Sequence, residues 1–137
     1  MADDVLLNKT AAIERCLARI GEEYRGREQE LLSNQTRQDA IVLNLQRACE
    51  AAIDLAMHVV RKRHLGLPQE SREAFTLLRD AGLIDEDLTQ RMCAMVGFRN
   101  VAVHNYQKLN VEIVRTILDK HLDDFRRFVA ALIQLPD

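Results

Sequence analysis

Arg99 and His104 are the residues whose types best suit chemistry on a phosphate ester. An arginine fork grips two phosphate oxygens and steadies charge that builds on them. A histidine titrates near neutral pH and can take or give a proton there. Both sit in the segment RNVAVHNY, residues 99–106, within a helical apolar pattern. Leu88, Met92, Met95, Arg99, Ala102 and Tyr106 recur at spacings of four and three, so an arginine occupies a seam that should be buried. A guanidinium there either forms an ion pair inside the protein or opens on a cleft. A parallel row of Ala94, Gly97 and Val101 ends in His104. Small residues in that row permit close approach of another helix, and a helical glycine costs about 1 kcal/mol. His104 at its end fits a packing residue or a proton carrier. Five helical steps of ~100° set Arg99 and His104 ~140° apart. They converge only if the helix ends or bends near Asn105, or if two chains contribute. Tyr106, seven steps from Arg99, shares its face.

A second polar stripe, Arg47, Glu50, Asp54 and His58, runs among apolar neighbours. It is either a solvent face stitched by pairs four residues apart or the source of a carboxylate, Glu50 or Asp54, that orients Arg99 from a facing helix. His121 falls in an apolar row and reads as a core histidine. No glycine-rich phosphate loop, Ser–His–Asp order or His/Glu metal signature is present. The three cysteines, Cys16, Cys49 and Cys93, lie far apart in helical apolar patterns and read as small hydrophobes, with no metal or cofactor implied.

The elements that must position these residues are helices. Apolar periodicity predicts helices over about 4–24, 37–64, 71–81, 85 to at least 103, and 110–134. Ser71 and Asn110 are candidate N-caps, Gly82 a terminator, and Gly66 with Pro68 the stop for the second helix. That second helix is apolar on two sides and should be central. No strand-like alternation, internal repeat or low-complexity tract appears. Two prolines, five glycines and no tryptophan in 137 residues agree with long helices. The fold expected is all-α, an antiparallel bundle of four to five helices forming one domain over 1–137.

With 47% hydrophobic and 29% charged residues the composition is that of a soluble globular chain. No apolar run approaches the ~20 residues of a membrane span, and the acidic start MADDVLLNKT has no signal-peptide core. A reducing cytoplasm and no membrane contact are expected. The net charge of −2 excludes a global basic field, so binding to nucleic acid would need locally clustered basic residues.

RNVAVHNY resembles the signature of the HepT-like branch of HEPN proteins: Arg, four residues, His, one residue, Tyr. VLNLQRACEAAIDLAMHVV (42–60), SREAFTLLRDAGLI (71–84) and MVGFRNVAVHNY (95–106) resemble that family in order and spacing. The segment 25–35 matches least well. The resemblance implies a homodimer of helical bundles and a metal-independent endoribonuclease with its site in the dimer cleft. Arg99, His104 and Tyr106 take the motif positions, with Asn100 as the arginine's polar neighbour. It implies RNA as substrate, attack by the 2′-hydroxyl, and a 2′,3′-cyclic phosphate product. It also implies a toxin partnered by an MntA-like nucleotidyltransferase antitoxin, which would transfer AMP from ATP to Tyr106 and block the cleft. The alternative is a non-catalytic subunit whose groove binds nucleotide or docks the transferase. A bare scaffold bundle would leave the polar seam unexplained.

Overall fold

The computed structural model describes residues 3–136; residues 1, 2 and 137, at the ends of the expected domain, lie outside that description. The described residues form helices α1 (Asp4–Tyr24), α2 (Glu30–Ser33), α3 (Gln35–Lys62), α4 (Ser71–Asp80), α5 (Glu86–His104), α6 (Val111–Lys120) and α7 (Leu122–Ile133), with a 3₁₀ turn at Tyr106–Lys108. No strand occurs among them.

α3 is the central element, packing against α1, α2, α4, α5 and α7. Its two apolar rows explain why: Ile41, Leu45, Ala48, Ala52, Leu55 and Val59 are buried, and so are Val42, Cys49, Ala56 and Val60. Charged contacts fix the direction of its neighbours. Asp3, at the start of α1, meets His58 and Lys62 at the end of α3, while Glu23 meets Arg37 at the other end. α1 and α3 are therefore antiparallel. α5 also runs against α3, since Tyr106 just past its end bonds Asp39 near the start of α3. α4 and α5 form a tight antiparallel pair closed by Arg79–Glu86 at 3.0 Å. The core between these helices is anchored by Phe75, Phe125 and Phe128, with Phe75 and Phe128 edge to face at 5.3 Å.

Local chemistry sets most boundaries. Asp3, Asn34, Asp85 and Asn110 each accept a backbone N–H in the first turn that follows, satisfying donors the helix leaves open. Gly82, at φ +79°, ends α4 as expected. Three boundaries differ from the sequence reading. Asn34 caps α3 two residues earlier than periodicity indicates, and α2 adds one turn in the preceding linker. α3 stops at Lys62, before Gly66 and Pro68. His64 takes φ +56°, and the Leu65 N–H closes back onto the Val60 carbonyl at 2.9 Å. The expected final helix breaks at His121 (φ −125°, ψ 0°) into α6 and α7. His121 is no core histidine: its ring sits 3.2 Å from Asp124 and 3.1 Å from Arg91 at the wall of a groove.

Candidate active site

α5 positions the motif. Leu88, Met92, Met95 and Ala102 are buried on the expected seam, and Arg99 among them is half-buried. Its guanidinium donates one hydrogen bond, Nη2 to Ser71 Oγ at 3.3 Å, and its buried Nε has no partner. Ser71 is thus not the N-cap of α4. It is the first helical residue, and its hydroxyl faces Arg99, while Glu73 accepts the Gln69 N–H. Across from Arg99 lies α3 at the level of Cys49, whose thiol feels the arginine's charge although burial pushes its pKa up. An arginine held by one neutral hydroxyl keeps most of its donors for a ligand.

The carboxylates of the α3 stripe do not complete an ion pair with it. Asp54 binds Lys9 of α1 at 2.9 Å and is more than half exposed. His58, further along, binds Asp3. The stripe faces α1 at this level, which is why Asp54 cannot orient Arg99. Glu50, half-buried, forms no ion pair with Arg99 among the described residues. Asn100, next to Arg99 in sequence, is half-buried.

His104 is the last residue of α5, exposed, with no side-chain partner among the described residues. Because it is still helical, the ~140° divergence from Arg99 persists within one chain. The chain leaves the helix only at Asn105 (φ −154°, ψ 54°). Tyr106 is carried by the 3₁₀ turn and does not continue the α5 seam. Its hydroxyl donates to Asp39 Oδ1 at 2.5 Å. Asp39 is ten residues before Cys49, so the hydroxyl is tied to the opposite stretch of α3 from the one that feels the charge of Arg99. Burial and the Asp39 carboxylate push the Tyr106 pKa up to about 12. The expectation that Tyr106 shares the helical face of Arg99 is corrected by the end of α5 at His104. Asp39 itself was not legible as a partner, since an exposed acid near a helix start gives no periodic signal.

The second row on α5 faces outward. Ala94, Val101 and His104 are exposed, Val103 beside them is 44% exposed, and Gly97 is half-buried. With Ile113 of α6, 52% exposed, Ala94, Gly97 and Val101 line a groove of about 680 Å³. The neighbour closest to Gly97 is the Arg72 guanidinium, 3.1 Å from where a Cβ would stand. Locally clustered basic residues exist despite the net charge: Arg15, Arg19 and Arg47 line a groove between α1 and α3, and Arg15 and Arg47 have no ion pair among the described residues. Cys16 and Cys49 are buried and Cys93 is half-buried; burial raises all three thiol pKa values, which suits packing over nucleophilic chemistry. Among the described residues no three His, Cys, Asp or Glu side chains converge as metal ligands would, and no helix is long and apolar enough to cross a membrane.

A family model described as ribonuclease HepT-like matches residues 11–132. The mRNA nuclease HepT of Shewanella oneidensis is 46% identical over 127 residues, 93% of this chain and 95% of that protein. A putative RNase of Archaeoglobus fulgidus is 26% identical over 80 residues, 58% of this chain and 60% of its own length. Among solved structures, the tri-AMPylated Shewanella oneidensis HEPN toxin in complex with MNT antitoxin superposes with a TM-score of 0.93 at 44% identity, covering 98% of this chain and all of that one. A toxin–antitoxin structure with AMP-PNP gives 0.93 at 44% identity, covering 97% and 100%. A family match over most of an all-helical chain, and a relative so similar along nearly its whole length, establish that the chain belongs to the HepT-like ribonucleases.

Proposed function

We propose that the protein is an endoribonuclease toxin in which Arg99 and His104 carry out RNA cleavage at a cleft between two copies of the chain. The observation that carries this reading is the state of the two side chains at the end of α5. Arg99 has a buried Nε without a partner, and His104 stands exposed and unengaged. Among the described residues Arg99 makes one side-chain hydrogen bond, to Ser71, and His104 makes none, which leaves both available to a ligand.

RNA brings its own nucleophile. His104 takes the 2′-hydroxyl proton, or protonates the departing 5′-oxygen, and two copies divide these roles. Arg99 binds the scissile phosphate and stabilises charge on its oxygens in the transition state. Asn100, the next residue along α5, is the polar neighbour of the arginine, and Ser71 Oγ accepts one of the guanidinium N–H groups. The 2′-oxygen forms the new bond to phosphorus as the 5′-oxygen leaves, giving a 2′,3′-cyclic phosphate. The outward divergence of Arg99 and His104, together with the apolar groove past Gly97 and Val101, supports a homodimer that brings together groups one helix points apart.

The partner is an MntA-like nucleotidyltransferase antitoxin, and the modified residue is Tyr106. The similar Shewanella toxin is described as tri-AMPylated and in complex with its antitoxin. Each AMP on Tyr106 adds an anionic phosphate and a bulky base just past the end of α5, where it blocks the RNA cleft. An RNA substrate and modification by ATP support a cytoplasmic location.

Cleavage of RNA in EDTA by wild type and by His104→Ala tests the reading. Losing a general acid–base group typically costs 10²–10⁴-fold in rate. We expect a loss of that size with the helical circular-dichroism signal unchanged, because His104 is exposed and its side chain makes no hydrogen bond or ion pair among the described residues. Full cleavage by a folded His104→Ala preparation removes the histidine from the mechanism. RNA binding without cleavage by wild type turns the reading to the docking subunit.

A further inference from the structure

We propose that Asp39 is the proton acceptor for nucleotidyl transfer to Tyr106, so that the toxin supplies part of the chemistry of its own neutralisation. This rests on the reading of Tyr106 as the modified residue. The Tyr106 hydroxyl donates to Asp39 Oδ1 at 2.5 Å, within the range of an O–H···O⁻ bond to an ionised carboxylate. The same oxygen accepts from Gln35 Nε2 at 2.7 Å, so Asp39 is held from its own helix as well. The cleft beside Tyr106 is lined by Val42, Leu109, Val111 and Val114, and its other polar side chains are the amides of Gln35, Gln38 and Gln107. Amides do not take up a proton at neutral pH. Among the described residues Asp39 is the one proton-accepting side chain bonded to the phenol.

The phenol needs such a partner. With its pKa near 12, only about one hydroxyl in 10⁵ is ionised at pH 7. The hydrogen bonds from Tyr106 and then Gln35 hold the Asp39 carboxyl below its usual range, so it is ionised at neutral pH and ready to receive. A carboxylate is a weak base toward a free phenol. It becomes an adequate one as the Tyr106 oxygen bonds to phosphorus and its proton turns strongly acidic. In the step itself, Oη of Tyr106 attacks the α-phosphorus of ATP held by the transferase. The Oη–P bond forms, the bond to pyrophosphate breaks, and the phenolic proton passes to Asp39 Oδ1 and then to water. Tyr106, 38% exposed at the start of a 3₁₀ turn, remains open to the incoming nucleotide.

Asp39→Asn keeps an oxygen that accepts from Tyr106 and Gln35 but cannot take the proton. The experiment incubates wild type or Asp39→Asn with the transferase and Mg-ATP from pH 6.5 to 9, and reads AMP incorporation by intact mass and by peptide mapping. We expect AMP on Tyr106 in wild type, and at pH 7 a kcat for Asp39→Asn at least about tenfold lower. The KM for the toxin should stay within about threefold, and RNA cleavage by the unmodified variant should be unaltered. The wild-type to variant rate ratio should shrink as pH rises, because hydroxide and pre-formed phenolate replace the lost acceptor; taking the ratio removes the transferase's own pH dependence. Equal rates, or a deficit whose ratio does not change with pH, overturn the proposal and leave Asp39 at most a structural tether. AMP found away from Tyr106 in wild type overturns the underlying reading instead, and peptide mapping tells the two failures apart.

Discussion

Arg99 sits where shape and charge both matter. Its fork has one hydrogen bond, to Ser71, and a buried Nε with no partner. Arg99→Lys keeps the charge and loses the planar donors. Turnover should fall by roughly 10²-fold or more, on the scale of losing one oxyanion donor, while RNA affinity falls much less, because the lost contacts are strongest in the transition state. Single-turnover cleavage beside filter binding separates the two; near-normal turnover would mean that any positive charge suffices. The motif residues were legible because RNVAVHNY places an arginine and a histidine where apolar periodicity asks for neither. Their partners were not. Ser71 looked like a cap because serine before a helix usually is one, yet its hydroxyl faces a residue 28 positions away. Glu50 and Asp54 were both candidates to orient Arg99, beside the reading as a solvent face, because stripes on two helices were matched without knowing which neighbour α3 presents to each; Asp54 pairs with Lys9 instead. Asp39 offered no pattern at all. Long-range side-chain pairing depends on helix rotation and packing, which a one-dimensional pattern does not carry.

At the scale of elements, the start of α1 shows how a cap also joins helices. The Asp3 carboxylate, 9% exposed, accepts the Leu6 N–H at 3.1 Å and meets His58 at 2.8 Å and Lys62 at 3.0 Å. His58 first, and then the cap bond, hold its pKa well below the usual carboxylate range. Asp3→Ala should lower stability by about 1 kcal/mol from the cap alone. A carboxyl whose folded pKa is depressed contributes stability fully above its unfolded value, near 3.9, and loses it as pH falls toward the folded value. Urea unfolding at pH 7 and pH 3 should therefore show the gap between wild type and Asp3→Ala narrowing in acid. A gap that is constant with pH would mean that the charge contributes nothing. The element pattern was readable where caps and glycines mark ends, as at Asp85, Gly82 and Asn110. It failed at His121 because Val114, Leu118, His121, Phe125, Phe128 and Leu132 keep spacings of four and three straight across the break. A kink that preserves the apolar rhythm leaves no trace in that rhythm.

At the scale of the whole molecule, α5 is apolar on its buried seam and again on its outer row, and a helix inside one chain has no use for the second. Gly97→Leu tests what that row is for. A new side chain would first meet the Arg72 guanidinium, 3.1 Å from the Cβ position, which is the mobile end of a long side chain. The single-chain fold should survive, while sedimentation shows a weakened dimer and RNA cleavage falls with it. A stable dimer of full activity would place the interface elsewhere. The all-helical bundle itself was legible in composition and periodicity, whereas the proposed pairing of two bundles rests on surface rows that no single-chain periodicity can assign to a partner. The central claim, that RNA is cut by its own 2′-hydroxyl at a site built on Arg99 and His104, is tested most directly by the substrate's chemistry. Purified protein in EDTA should cleave a 5′-labelled RNA and leave 2′,3′-cyclic phosphate ends. It should leave the same sequence intact when every sugar carries a 2′-O-methyl group. Cleavage of the 2′-O-methyl strand, or 3′-hydroxyl ends on the RNA products, would contradict the account.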